Sequence, residues 1–206
     1  MALNKNEIKQ EIWGIWEILI LARECFEYSN YLYHPDTKEE SEYLSFSQDF
    51  DFIRHILWRM TIIEFSKLFQ PDRFNLKHFI HKLKKAGHFS KAGINDETIN
   101  KWEAELLNNE KTIANIITLR NKIYAHSDLK KDDYNTIQIT FQEIAKLIVI
   151  VENVIREIYL IVFEADTEMA TIVFDKNNFD IIKILADEKR KSIEALLGPT
   201  FTFRRS

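Results

Sequence analysis

Only four glycines and three prolines punctuate 206 residues. Sandwiches and barrels need a turn signal every few residues between strands, so a chain this poor in Gly and Pro is built from long helices. Apolar residues at 46% and charged residues at 29% are those of a folded globular chain. The length suits one sizeable core, and we expect residues 1–206 to form a single all-helical domain.

Helical periodicity places the elements. Ile8, Ile12, Ile15, Leu19, Ala22 and Phe26 recur every three or four residues and predict a first helix from an Asn4 cap to about Tyr31, closed by Pro35 and a polar stretch. Phe52, Ile56, Met60, Ile63 and Phe65 predict the apolar stripe of a second helix, from Ser47 to about Phe69, before Pro71. A short basic helix starts at Asn75, with Gly87 suited to a left-handed closing position. Asn95 or Asp96 opens one helix, or two nearly continuous ones, through His126. Thr140 and Glu143 have capping-box spacing, which predicts a long helix from Phe141 to about Glu164. A last helix spans about Asn178 to Leu197, while "TIVF" and "TFTF" are β-prone.

The charge balance limits function. A net charge of −4 argues against coating nucleic acid by bulk positive charge, so any RNA contact is local. Between Arg73 and Asn95 stand six basic residues, Lys82, Lys84 and Lys85 among them, and no acid. Such a run reads as a solvated face or as a phosphate-contacting patch. His78, His81 and His88 share that segment with no Cys or carboxylate to complete a metal site, so no metal is expected. Glycine-rich phosphate loops, nucleophile elbows and paired-cysteine motifs are absent. A single Cys25, no export signal and no uninterrupted spanning run fit a reducing cytoplasm, with no membrane contact.

Against this background "LRNKIYAHSD", residues 119–128, is anomalous. On a wheel of about 100° per residue, Ile113, Ile116, Ile117, Ile123 and Tyr124 all fall within about 60° of Arg120. A guanidinium thus sits in the middle of an apolar stripe and points inward. It stays protonated, and its five donors need a carboxylate, carbonyls or an anionic ligand. His126 lies at about −120° and about 9 Å further along a straight helix. The two side chains cooperate only if the helix loosens near Ala125, or if a second copy of the chain completes the group. The alternative is structural: Arg120 as a buried ion-pair residue and His126 at a favourable helix C-terminus.

The segment "RNKIYAH" resembles the signature of HEPN domains: an arginine, a polar residue directly after it, and a histidine four to six residues beyond. The longer "RNKIYAHSD" is most similar to the abortive-infection, AbiU-like subgroup. The resemblance implies an up-and-down helical bundle with extra flanking helices, pairing as a homodimer whose two motifs meet in a cleft. It implies a metal-independent endoribonuclease of a phage-defence or toxin–antitoxin module, with RNA and a cognate antitoxin protein as partners and no cofactor. His126 then serves as general acid or base, Arg120 holds the scissile phosphate, and Asn121 positions the phosphate or the imidazole. Tyr124 and Asp128 flank the pair as supporting groups, and Lys122 with Lys82, Lys84 and Lys85 contacts RNA. Silenced toxins of this superfamily carry a tyrosine two residues after the histidine; Asp128 stands there in this chain, which argues against silencing by tyrosine modification. A non-catalytic RNA- or protein-binding module is the competing expectation.

Overall fold

The computed structural model describes residues 5–124, 137–167, 175 and 181–197. Its elements are α1 (Lys5–Tyr33), α2 (Lys38–Ser45), α3 (Gln48–Ser66), α4 (Leu76–Leu83), a 3-10 turn (Ser90–Ala92), α5 (Asp96–Leu107), α6 (Glu110–Leu119), a π turn (Arg120–Tyr124), α7 (Phe141–Phe163) and α8 (Ile181–Leu197). No strand occurs among the described residues, and the all-α expectation holds. Both β-prone segments, like Asn4, Ala125, His126 and Asp128, lie outside the described residues.

Helix starts follow the local chemistry. Ser47, Asn75 and Asn95 cap α3, α4 and α5 by accepting from the backbone N–H three residues on, which satisfies a donor the helix cannot. Thr140 and Glu143 form the reciprocal box at α7: each side chain accepts the other residue's backbone N–H. These bonds from Thr140, its backbone N–H first, hold the Glu143 carboxyl below its ordinary value of 4.5. A carboxyl depressed by folding stabilises in full above 4.5 and loses that contribution as pH falls through its lower folded value. Thr140→Ala is therefore expected to cost about 1 kcal/mol in urea unfolding near neutral pH. The difference from wild type shrinks as acid protonates Glu143.

A second capping box, Thr37 with Glu40, starts α2 in the polar stretch that closes α1, where no helix is expected. Glu40 is buried because the Tyr31 hydroxyl donates to its Oε1 at 2.8 Å while Thr37 donates to Oε2, so one carboxylate fixes both the start of α2 and its seat on α1. Leu44 and Ile182 complete a small apolar cluster there with Tyr31 and Leu32, which places α8 against α2.

The main core lies between α1, α3, α6 and α7, with α4 and α5 closing one side. The expected α1 stripe from Ile8 to Phe26 is buried throughout. On α3 the expected stripe holds in part: Phe65 is fully buried, Ile56, Met60 and Ile63 are half-buried, and Phe52 is 66% exposed, while Ile62, outside the stripe, also faces the core. The early part of this helix packs Phe50 and Leu57 against the small cluster beside α2 rather than against the main core. Arg54 there stacks on Tyr33 and pairs with Asp51. The region from Asn95 to the motif is two helices, broken at Asn108 and Asn109.

Gly87 does not close α4, which ends at Leu83, and its backbone is not left-handed; that conformation belongs to Gly93, with φ of 80°, after the 3-10 turn. Gly87 is required for space instead. A Cβ there would lie 2.2 Å from the Lys82 carbonyl oxygen, which already accepts the Phe89 N–H. Among the described residues no helix is long and apolar enough to cross a membrane.

Candidate active site at the π turn

Ile113, Ile116 and Leu119 bury one face of α6 and deliver the chain to Arg120, where the hydrogen-bond pattern widens to i→i+5. A π turn rotates every later residue away from its α-helical position. The helix widens over Arg120–Tyr124, next to the position near Ala125 where loosening is expected; Ala125 and His126 themselves lie outside the described residues.

Arg120 is half-buried, as its place in the apolar stripe requires. Its Nη1 donates to Asn121 Oδ1 at 2.8 Å, and Gln70 Nε2 donates to that same oxygen at 3.3 Å. Gln70 is itself fixed: the α4 cap Asn75 donates its side-chain amide to the Gln70 carbonyl. A neutral chain of amides thus runs from the start of the basic helix to the guanidinium. Among the described residues no carboxylate pairs with Arg120. Its positive charge is oriented but not neutralised by them.

The other end of the π turn is held from α3. Arg59 Nη2 donates to the Tyr124 carbonyl, and the guanidinium lies over the Tyr124 ring, 5.8 Å from its centre. Burial pushes the Tyr124 phenol above its ordinary value, opposed by a hydrogen bond with Trp58 and by the positive charge of Arg59. Tyr124 therefore stays a neutral phenol near pH 7 and acts here as a packing and hydrogen-bonding group. Lys122 lies half-buried on the same turn.

Sequence reasoning misses Arg59 and Gln70. They stand 65 and 51 residues from their partners in the motif, beyond the reach of any local pattern. A charged residue beside an apolar stripe, as at Arg59, is the one available signal.

The basic segment is less free than its sequence suggests. Lys82 pairs with Glu11 of α1 at 2.8 and 2.9 Å, Lys84 with Glu103 of α5 at 2.7 Å, and His88 contacts Glu7 at 3.1 Å. Lys85 is exposed. Acids from other helices meet a stretch that contains none.

No match was found among curated proteins or among solved structures. The family model described as HEPN AbiU2 matches residues 6–180, a span running from the first turn of α1 past the end of α7 and stopping before α8. The chain belongs to the AbiU2 family of HEPN domains.

Proposed function

We propose that this protein is a metal-independent endoribonuclease of a bacterial phage-defence or toxin–antitoxin module, acting at a cleft between two copies of the chain. The observation that carries the reading is the state of Arg120: half-buried, held by a neutral amide, and met by no carboxylate among the described residues. A guanidinium so placed is an anion site, and its planar fork matches a phosphodiester. Membership of an abortive-infection family supports the defence role.

In the proposed reaction His126 removes the proton of a ribose 2′-hydroxyl. The 2′-oxygen forms a bond to phosphorus, the bond from phosphorus to the 5′-oxygen breaks, and the leaving oxygen takes a proton from the imidazolium of the other copy or from water. Arg120 holds the scissile phosphate and stabilises the charge gathered in the transition state. Asn121 aims Arg120 through the bond seen at 2.8 Å, with Gln70 behind it. Lys122 and Lys85 extend the phosphate track, and Lys82 and Lys84 join it where RNA phosphate competes with Glu11 and Glu103. Asp128 and Tyr124 support the imidazole and the turn.

Single-stranded RNA incubated in EDTA with the full chain is expected to yield fragments ending in 2′,3′-cyclic phosphate and 5′-hydroxyl groups. Substituting 2′-deoxyribose at the cut position should stop that cut. RNA retention with no products favours a non-catalytic binding module.

A further inference from the structure

Beside the π turn lies a set of aromatic rings of which the proposed cleavage uses only Tyr124, as a support for the turn. Trp58 packs on Phe141 with ring centres 4.4 Å apart, and Phe141 meets Tyr33 at 5.4 Å. Tyr124 packs against the same core cluster as Trp58 and Phe141. These four rings come from α1, α3, the π turn and the first residue of α7, so elements distant in sequence converge on one surface. All four are half-buried rather than sealed in the core.

Two guanidiniums flank the rings: Arg54 over Tyr33 at 4.7 Å and Arg59 over Tyr124 at 5.8 Å. Arg54 is paired with Asp51, whereas among the described residues no carboxylate meets Arg59. An apolar partner would cover the rings but leave the Arg59 charge unmatched by any carboxylate among the described residues. A nucleotide supplies both an aromatic face and an anion.

We propose that this surface is a nucleotide-binding subsite that holds one unpaired base of an RNA strand against Trp58 and Phe141, with a neighbouring phosphate on Arg59. Resting on the ribonuclease reading, it adjoins the scissile phosphate, because Tyr124 ends the same five-residue turn that begins with Arg120. Stacking needs a base free of its Watson–Crick partner, so the subsite selects single-stranded over duplex RNA. Arg59 is then a substrate-positioning residue, and through the Tyr124 carbonyl it also fixes the turn that carries Arg120.

The test uses the full chain carrying His126→Ala, so that bound RNA stays intact, and an eight-residue oligoadenylate as probe. The single strand is expected to bind about tenfold more tightly than a duplex of the same length, and to quench tryptophan emission. Arg59→Gln should weaken binding about tenfold and reduce the slope of log affinity against log salt by about 0.7. Trp58→Phe keeps a ring in place and should remove the quench. If Arg59→Gln unfolds the chain, the Trp58→Phe result decides alone. A quench unchanged in Trp58→Phe, or duplex bound as tightly as single strand, overturns the subsite even where the wild-type chain cleaves RNA. Binding that depends on Arg59 and Trp58, beside a wild-type chain that never cleaves, keeps the subsite and sinks the nuclease reading.

Discussion

His126→Ala is expected to leave the chain folded and to lower the rate of RNA cleavage by about 10² to 10⁴, the range set by loss of a positioned general acid or base. Arg120→Ala should cost about 10² to 10³, because it removes donors aimed at charge that develops only in the transition state. The loss should fall mainly on kcat. Arg120→Lys should restore little, since an ammonium keeps the charge but lacks the fork that bonds both the phosphate and Asn121 Oδ1. Single-turnover cleavage of a labelled RNA measures all three, with thermal unfolding to show that each variant is folded. Activity within a few-fold of wild type in His126→Ala would remove the imidazole from the mechanism.

Trp102→Ala should destabilise the fold severely. Trp102 is fully buried in the main core, and its Nε1 donates to Glu157 Oε2 at 2.8 Å across the contact between α5 and α7. Removing the ring leaves a large cavity and deletes a donor from a carboxylate that then relies on Lys101 at 2.6 Å. The cost is about 3–5 kcal/mol, which lowers Tm by on the order of 10 °C in a domain of this size. Trp102→Phe refills most of the volume and should recover a large part of that loss. Urea unfolding reads both. A cost under about 1 kcal/mol for the alanine variant would mean that this ring does not dock α5 on α7.

What the sequence reveals and what it hides divide along sequence distance. The caps at Ser47, Asn75, Asn95 and Thr140 each depend on a residue three positions away, and all four are legible. Thr37 with Glu40 carries the same signal as Thr140 with Glu143, but Pro35 and the density of charge around it mask α2. Periodicity identifies the α1 face and only part of the α3 face, with Phe65 buried but Phe52 exposed, because an amphipathic pattern does not say how far along a helix the core reaches. Gly87 and Gly93 show the same limit for backbone: one serves close approach and the other a left-handed turn, and only the folded chain tells them apart.

At the site, the inward place of Arg120 follows from α6 and the turn alone, since the apolar neighbours on its face leave it no other direction. Its local partner Asn121 is visible as the adjacent polar residue. The supports are not. Gln70 and Arg59 come from α3 and the segment after it, and the acids that meet Lys82 and Lys84 come from α1 and α5. Charge counted along a segment measures its composition, whereas the field an RNA would meet is set by every helix packed around it. The widening of the helix at Arg120 is also invisible, because no Pro or Gly marks it.

The most direct test pairs the wild-type chain with a clean Arg120→Ala, His126→Ala double variant, each given single-stranded RNA in EDTA. Cleavage by the first and none by the second is the predicted result. RNA cut equally by both would contradict the assignment of this guanidinium and imidazole to a phosphodiester.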